Sequence, residues 1–152
     1  MKTLYTDASF DWNSTNATDE NIVRGKIAIS DGSGYSRVEK FAIGKVDGLK
    51  QYINIFELTA IARAVELAYD MNITDKQLEI FTDSMTAMYW ARNGKIKPSV
   101  LTLAHAGALD YLRRAVLNFG GVVTFNFVPR EKNPAGHLLQ EELENGSKPH
   151  DL

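Results

Sequence analysis

The sequence contains no cysteine among its 152 residues, which excludes disulfides, thiolate zinc sites and thiol nucleophiles and makes a reducing compartment, the cytoplasm, the expected location. Long apolar runs are missing as well. No segment approaches about 18 uninterrupted apolar residues, and Met1-Lys2-Thr3-Leu4-Tyr5-Thr6-Asp7 reaches its first acid without an apolar stretch, so neither export nor membrane insertion is expected. Excess positive charge is also absent: 17 Lys and Arg against 19 Asp and Glu give a formal net charge of -2. The whole-chain footprint of a strong, sequence-independent DNA binder is therefore lacking. Basic residues do occur in two local groups, Arg92 with Lys95 and Lys97, and Arg113, Arg114, Arg130 and Lys132; scattered charges of this kind commonly form no more than a solvated face. No internal repeat, low-complexity run or linker interrupts the chain, so residues 1–146 read as one domain followed by a loose tail, 147–152.

What is present is an ordinary soluble composition, 44% hydrophobic and 24% charged, in a chain long enough to bury a core. Residues 2–9 are rich in β-formers and stop at a polar stretch, 11–21. Residues 23–31 and 34–43 read as two further strands joined by a hairpin turn at Gly32-Ser33. Between Tyr52 and Met71 the period changes, with Ile61, Ala64, Val65 and Ala68 at helical spacing and no Gly or Pro inside. A short strand over 76–81 follows, then a helix from Asp83-Ser84 to Asn93, ended by Gly94. Pro98 opens a long helix predicted over 99–118, and 122–128 is a strand. Asn133 as N-cap and Pro134 at the first helical position start the last helix, which ends near Gly146. The order βββαβααβα contains strand-helix-strand units that require parallel pairing. The expected fold is α/β with a five-stranded mixed sheet flanked by helices.

Asp7 and Asp83 each stand at the carboxyl end of a strand, each after a threonine (Thr6, Thr82) and before a small residue (Ala8, Ser84). Ligands of α/β sheets bind outside those ends, so the two acids meet in one crevice if their strands are neighbours. Glu57 lies on the stripe Glu57, Ala60, Ile61, Ala64, Val65, Ala68, the apolar face that must pack on the sheet. An unpaired charge on a buried face is costly, and a metal shared with Asp7 and Asp83 would compensate it. Each residue has a plainer alternative: Asp83 as a helix cap, Asp7 as a turn former, Glu57 as a solvent-facing residue or a complement to the helix dipole. Their joint placement favours a shared site.

Four segments carry a family resemblance: Tyr5-Thr6-Asp7-Ala8-Ser9, Asn54-Ile55-Phe56-Glu57-Leu58-Thr59-Ala60, Phe81-Thr82-Asp83-Ser84, and Val128-Pro129-Arg130-Glu131-Lys132-Asn133. In order and spacing they resemble the ribonuclease H family, type 1, over nearly the whole chain. The resemblance implies a ribonuclease H-like fold, with Asp7, Glu57 and Asp83 as the first three of four catalytic, metal-holding acids. The family's fourth acid stands four residues after the last Asn, and here that position is His137. Imidazole suits Mn²⁺ better than Mg²⁺, so His137 is expected to replace the acid as ligand or proton carrier, with Mn²⁺ favoured; alternatively it is a surface residue. Glu141, one turn on, is placed to orient the ring or to substitute as a ligand. The implied activity is endonucleolytic hydrolysis of the RNA strand of RNA/DNA hybrids with two ions, Mg²⁺ or Mn²⁺, giving 5′-phosphate products.

The family's minor-groove contacts to the hybrid fall here on Ile53, Asn54 and Met85, so only Asn54 is retained, and hybrid recognition is expected to be built differently. Asn54, Ser84 and Ser99 are the expected substrate-binding residues, Asn54 and Ser99 resembling a phosphate pocket on the DNA strand; capping of the long helix is the alternative for Ser99. A basic protrusion and a separate hybrid-binding domain are lacking, so modest, salt-sensitive affinity is expected. His105 is expected to be structural and mid-helix, Trp90 to pack, and Trp12 to stack on nucleotides if it acts at all; His150 lies in the tail. The partner is thus an RNA/DNA hybrid, with no membrane and a monomer expected. Two other readings stand beside it: a non-catalytic hybrid- or RNA-binding module, and another nuclease built on the same superfold.

Overall fold

The computed structural model describes residues 1–11, 21–49 and 51–147, with 142–147 described by backbone alone. Trp12, most of the polar loop, His150 and the tail beyond Ser147 lie outside the described residues. Five strands, β1 (Lys2–Phe10), β2 (Ile22–Ser30), β3 (Ser36–Gly44), β4 (Gln77–Thr82) and β5 (Val122–Phe127), form one sheet in the order β3-β2-β1-β4-β5. β1, β2 and β3 pair antiparallel, whereas β4 is parallel to both β1 and β5. The described α-helices are α1 (Ile53–Tyr69), α2 (Met85–Asn93), α3 (Leu103–Phe119) and α4 (Pro134–Ser147), with a 3-10 turn, Arg130–Lys132, before the last. This is the five-stranded mixed sheet in the βββαβααβα order that the sequence implies.

α1 is the centre of the molecule. It packs on β1, β2 and β4 on one side and on α3 on the other, so Ile55, Phe56, Leu58, Ala60, Ile61, Ala62, Ala64, Val65 and Ala68 are all buried. Small buried side chains on both helices, Ala60, Ala64 and Ala68 on α1 and Ala108 and Ala115 on α3, suit close helix packing, and burial of this many apolar side chains at about 25 cal/mol per Å² dominates the stability of the layer. α4 lies against β1, β2 and β3, from the side to which Asp7 points. α2 and α3 both end on a glycine in the left-handed region, Gly94 (φ 67°) and Gly120 (φ 69°). No described helix is long and apolar enough to cross a membrane.

Two sequence expectations are corrected. The long helix begins at Leu103, not at Ser99: Thr102 is its N-cap, its side chain accepting the His105 N–H while His105 Nδ1 accepts the Thr102 N–H. Residues 97–101 instead form a turn in which the Lys97 carbonyl accepts the N–H groups of Val100 and Leu101. Ser99 is therefore an exposed turn residue rather than a cap, and His105 is structural and buried as expected but sits in the first helical turn rather than mid-helix. The connection between β2 and β3 is also longer than the two residues Gly32-Ser33. Asp31 Oδ1 accepts the N–H groups of Ser33 and Tyr35, and the Asp31 N–H donates to the Tyr35 carbonyl. An Asp side chain that mimics a turn in this way extends the loop over 31–35.

Candidate active site

Strand register places the two aspartates. Thr6 and Thr82 are the last partners of the parallel β1–β4 pair, so the next residues are neighbours: Asp83 stands at the carboxyl end of β4, whereas Asp7 lies inside β1, three residues before its end at Phe10 and not at the strand end expected from the sequence. β4 stops there while β1 continues to Phe10. The N–H of Ala8 consequently donates to Glu57 Oε1, at 2.9 Å, instead of to a strand carbonyl. Thr82 Oγ1 lies 3.4 Å from Glu57 Oε2 and donates to it. Glu57 thus reaches from the buried face of α1 to these two strands, and ligand oxygens of Asp7, Glu57 and Asp83 all lie within 4.8 Å of one another.

Asp83 is not a helix cap. Ser84 does that work: its Oγ accepts the Ala87 N–H at 3.1 Å and donates to Asn54 Oδ1 at 3.3 Å. Asp83 instead receives a hydrogen bond from the side-chain amide of Asn133, 3.2 Å from its Oδ2. The same nitrogen donates to the Thr6 carbonyl at 2.9 Å, and Asn133 Oδ1 caps α4 by accepting the Ala135 N–H at 3.1 Å. Gly136 follows in the first turn of that helix, so close to Asp7 that a β-carbon there would stand 3.1 Å from Asp7 Oδ2.

The cluster is electrostatically strained. Glu57 is 3% exposed and Asp7 7%, and none of the described salt bridges involves either of them or Asp83. Burial, followed by the charge of Asp83, pushes the Asp7 carboxyl up to about 6, with Arg130 acting in the opposite direction. Burial and then the Asp7 charge hold Glu57 well above the usual carboxylate range. Asp7 and Glu57, buried at this spacing, cannot both ionise cheaply without a cation beside them. An all-oxygen donor set, two carboxylates buried and that of Asp83 half-buried, fits a hard divalent ion such as Mg²⁺ or Mn²⁺.

His137 is not brought into this group: it is exposed on α4, one residue beyond Gly136, and Glu141 is exposed as well. Around the acids, Ala8, Ile53, Asn54, Ser84, Met85, Thr86 and Arg130 line an open cavity of about 400 Å³. Asn54 and Thr86 also line a larger groove of about 740 Å³, whose wall includes Tyr89, Trp90, Lys95, Lys97 and His105. Ser99 is not part of that wall, whereas its neighbours Pro98 and Val100 are. Trp90 packs edge-on against His105, 5.3 Å between ring centres. The two basic groups divide: Lys95 and Lys97 face the groove, Arg92 is engaged with the Phe125 carbonyl at 2.7 Å, Arg113 with the Gly94 carbonyl, and Arg114 with Asp110 at 3.0 Å. Arg130 and Asn133 belong to the site although residue type and spacing alone gave no reason to place them there; the segment Val128 to Asn133 that carries the resemblance was the available signal.

This chain has the ribonuclease H fold. Among solved structures it is similar to RNase H1 from the halophilic archaeon Halobacterium salinarum NRC-1, at 18% identity over 94% of this chain and 97% of that one, with a TM-score of 0.59. It is similar to LC11-RNase H1, crystallised in complex with an RNA/DNA hybrid, at 21% identity over 96% and 99% of the two chains, with a TM-score of 0.56; that protein was isolated from compost by a metagenomic approach. The N-terminal RNase H domain of a Mycobacterium tuberculosis protein shares 15% identity over 90% of this chain and 95% of that one, with a TM-score of 0.56. No protein-family model matches the sequence, and no curated protein matches it.

Proposed function

We propose that this protein is a type 1 ribonuclease H, a divalent-metal-dependent endonuclease that hydrolyses the RNA strand of RNA/DNA hybrids and leaves 5′-phosphate ends. The observation that carries the reading is the convergence of Asp7, Glu57 and Asp83 within 4.8 Å where β4 ends beside β1. Bound divalent ions would lower the pKa of a water nucleophile and offset charge on the phosphodiester and its leaving oxygen. Asp7 and Asp83 would hold them from the sheet, and Glu57 from the helix. Arg130, at the rim of the cavity, supplies positive charge for the phosphodiester backbone. Asn54 and Ser84, hydrogen-bonded to each other, present polar groups to the minor groove, while Ile53 and Met85 offer apolar contact there. The groove with Trp90, Lys95 and Lys97 supports a path for the second strand, an aromatic wall with cations along it. His137 would act from the exposed side of the site as a proton carrier or an outer ligand.

A second reading, a hybrid-binding module without turnover, is favoured by one observation, the place of His137 outside the carboxylate group. A substrate panel of hybrid, duplex RNA, duplex DNA and single strands, run with Mg²⁺ and with Mn²⁺, separates the two. Hybrid-dependent cleavage supports the nuclease; tight binding without cleavage in both metals supports the module.

A further inference from the structure

The helix on which the resemblance places a fourth acid has no carboxylate in its first turn, yet it is wired to the site. Asn133, the residue that caps α4, is completely buried. Every hydrogen-bonding direction it uses is assigned: Oδ1 to the Ala135 N–H at 3.1 Å, Nδ2 to the Thr6 carbonyl at 2.9 Å and to Asp83 Oδ2 at 3.2 Å. Capping α4 requires only the first of these, and a serine would provide it. The two donations from Nδ2 go instead to the Thr6 carbonyl within β1, one residue before Asp7, and to the acid that follows β4.

We propose that Asn133 is the positioning residue of the site: it fixes the rotation of the Asp83 carboxylate against β1, so that α4 acts on the metal centre through its cap rather than through a ligand. This rests on the reading of the three acids as a metal site. The physical basis is general. A ligating carboxylate free to rotate loses entropy when it binds, and a hydrogen bond to one of its oxygens removes that cost in advance; loss of such a partner usually weakens metal binding by about 10-fold or more. Asn is the appropriate residue because Nδ2 carries two donors in one plane while Oδ1 remains an acceptor for the helix.

The test uses Asn133→Ser, which retains the cap and loses the arm to Asp83. Mn²⁺ affinity is read from the electron paramagnetic resonance of free Mn²⁺ at a temperature where circular dichroism shows wild type, Asn133→Ser and Asp83→Asn folded. The expected result is saturable binding by wild type, loss in Asp83→Asn, and binding about 10-fold weaker in Asn133→Ser. Binding by Asn133→Ser within a factor of about two of wild type, a change too small for a lost carboxylate partner, overturns the positioning role alone. Absence of saturable binding in the wild type overturns the metal-site reading and this inference with it. Should Asn133→Ser fail to fold, the wild type decides by ¹⁵N NMR during a Mg²⁺ titration. The Asn133 side-chain amide is expected to shift with the same midpoint as the Ala8 N–H that reports on Glu57; an Ala8 signal that moves while Asn133 stays fixed overturns the proposal.

Discussion

The N–H of Ala8 donates to the carboxylate of Glu57 at 2.9 Å, so the residue after the β1 acid is tied directly to the acid of α1. That bond explains why a glutamate tolerates a position 3% exposed on an apolar helix face: one of its oxygens closes the hydrogen-bonding of a strand whose parallel neighbour has ended. The remaining charge is left for the open side of the sheet, where Asp7 and Asp83 stand.

Without metal, this arrangement penalises high pH. The Asp7 carboxyl, raised to about 6 from an ordinary 3.8, binds a proton more tightly in the folded than in the unfolded protein. Its contribution to stability is therefore full below about pH 4 and is lost as pH rises through about 6, a loss on the order of 3 kcal/mol at most. In EDTA, urea denaturation of wild type relative to Asp7→Asn should show this relative loss between pH 4 and 7, and Mn²⁺ should reverse it. A wild-type stability that rises relative to Asp7→Asn over that range would show that burial and Asp83 do not control the group.

His105 has the opposite sign. Burial lowers its pKa below the ordinary 6.5, and its Nδ1 accepts the Thr102 N–H, a role that only the neutral ring can fill. The unfolded state then binds more protons just below pH 6.5, so this contribution is complete above that pH and is lost as pH falls toward the folded-state value. Gln at the third helical position can serve the same capping box without titrating. Compared with His105→Gln, wild type should lose stability more steeply from pH 7 to pH 5; parallel curves would remove His105 from the pH dependence.

Gly136 tests how closely α4 must approach the site. A methyl group there would meet Asp7 Oδ2 at 3.1 Å, and the carboxylate, rather than the helix, is free to yield. Gly136→Ala should cost little stability, because Ala is the better helix former by up to about 1 kcal/mol, while hybrid cleavage falls at least several-fold through the displaced Asp7. Cleavage by Gly136→Ala equal to wild type would show that Asp7 has room to spare.

The meeting of the three acids was legible in the sequence because each signal was local: two Thr-Asp pairs, of which only Thr82-Asp83 marks a strand end while Asp7 lies inside β1, and one Glu on a helix stripe. Their meeting depended on the Thr6–Thr82 register, which needed only that β1 and β4 be parallel neighbours. The start of α3 was not legible, since Pro98-Ser99 carries a conventional helix-opening signal, whereas the functioning cap pairs Thr102 with a histidine in place of the usual Glu or Gln. Asn133 was readable as a cap but not as a partner of Asp83. A side chain that serves its own helix and a residue 50 positions away reveals the second role only when the strands have assembled.

If His137 takes the place of a fourth acid, as proposed, metal preference should register it. His137→Asp is expected to raise Mg²⁺-supported cleavage relative to Mn²⁺-supported cleavage, by supplying oxygen where imidazole stands. An unchanged Mg²⁺-to-Mn²⁺ ratio would mean that the residue acts neither on an ion nor on the reacting water.

The most direct measurement is cleavage of an end-labelled RNA/DNA hybrid by wild type and by Asp83→Asn, each with Mg²⁺ and with Mn²⁺, with folding checked by circular dichroism. Wild type is expected to make metal-dependent cuts within the RNA strand, ending in 5′-phosphates, with a loss of about 100-fold or more in Asp83→Asn, which should remain folded. Hybrid cleavage retained by Asp83→Asn, or none by wild type in either metal, would contradict the proposed function.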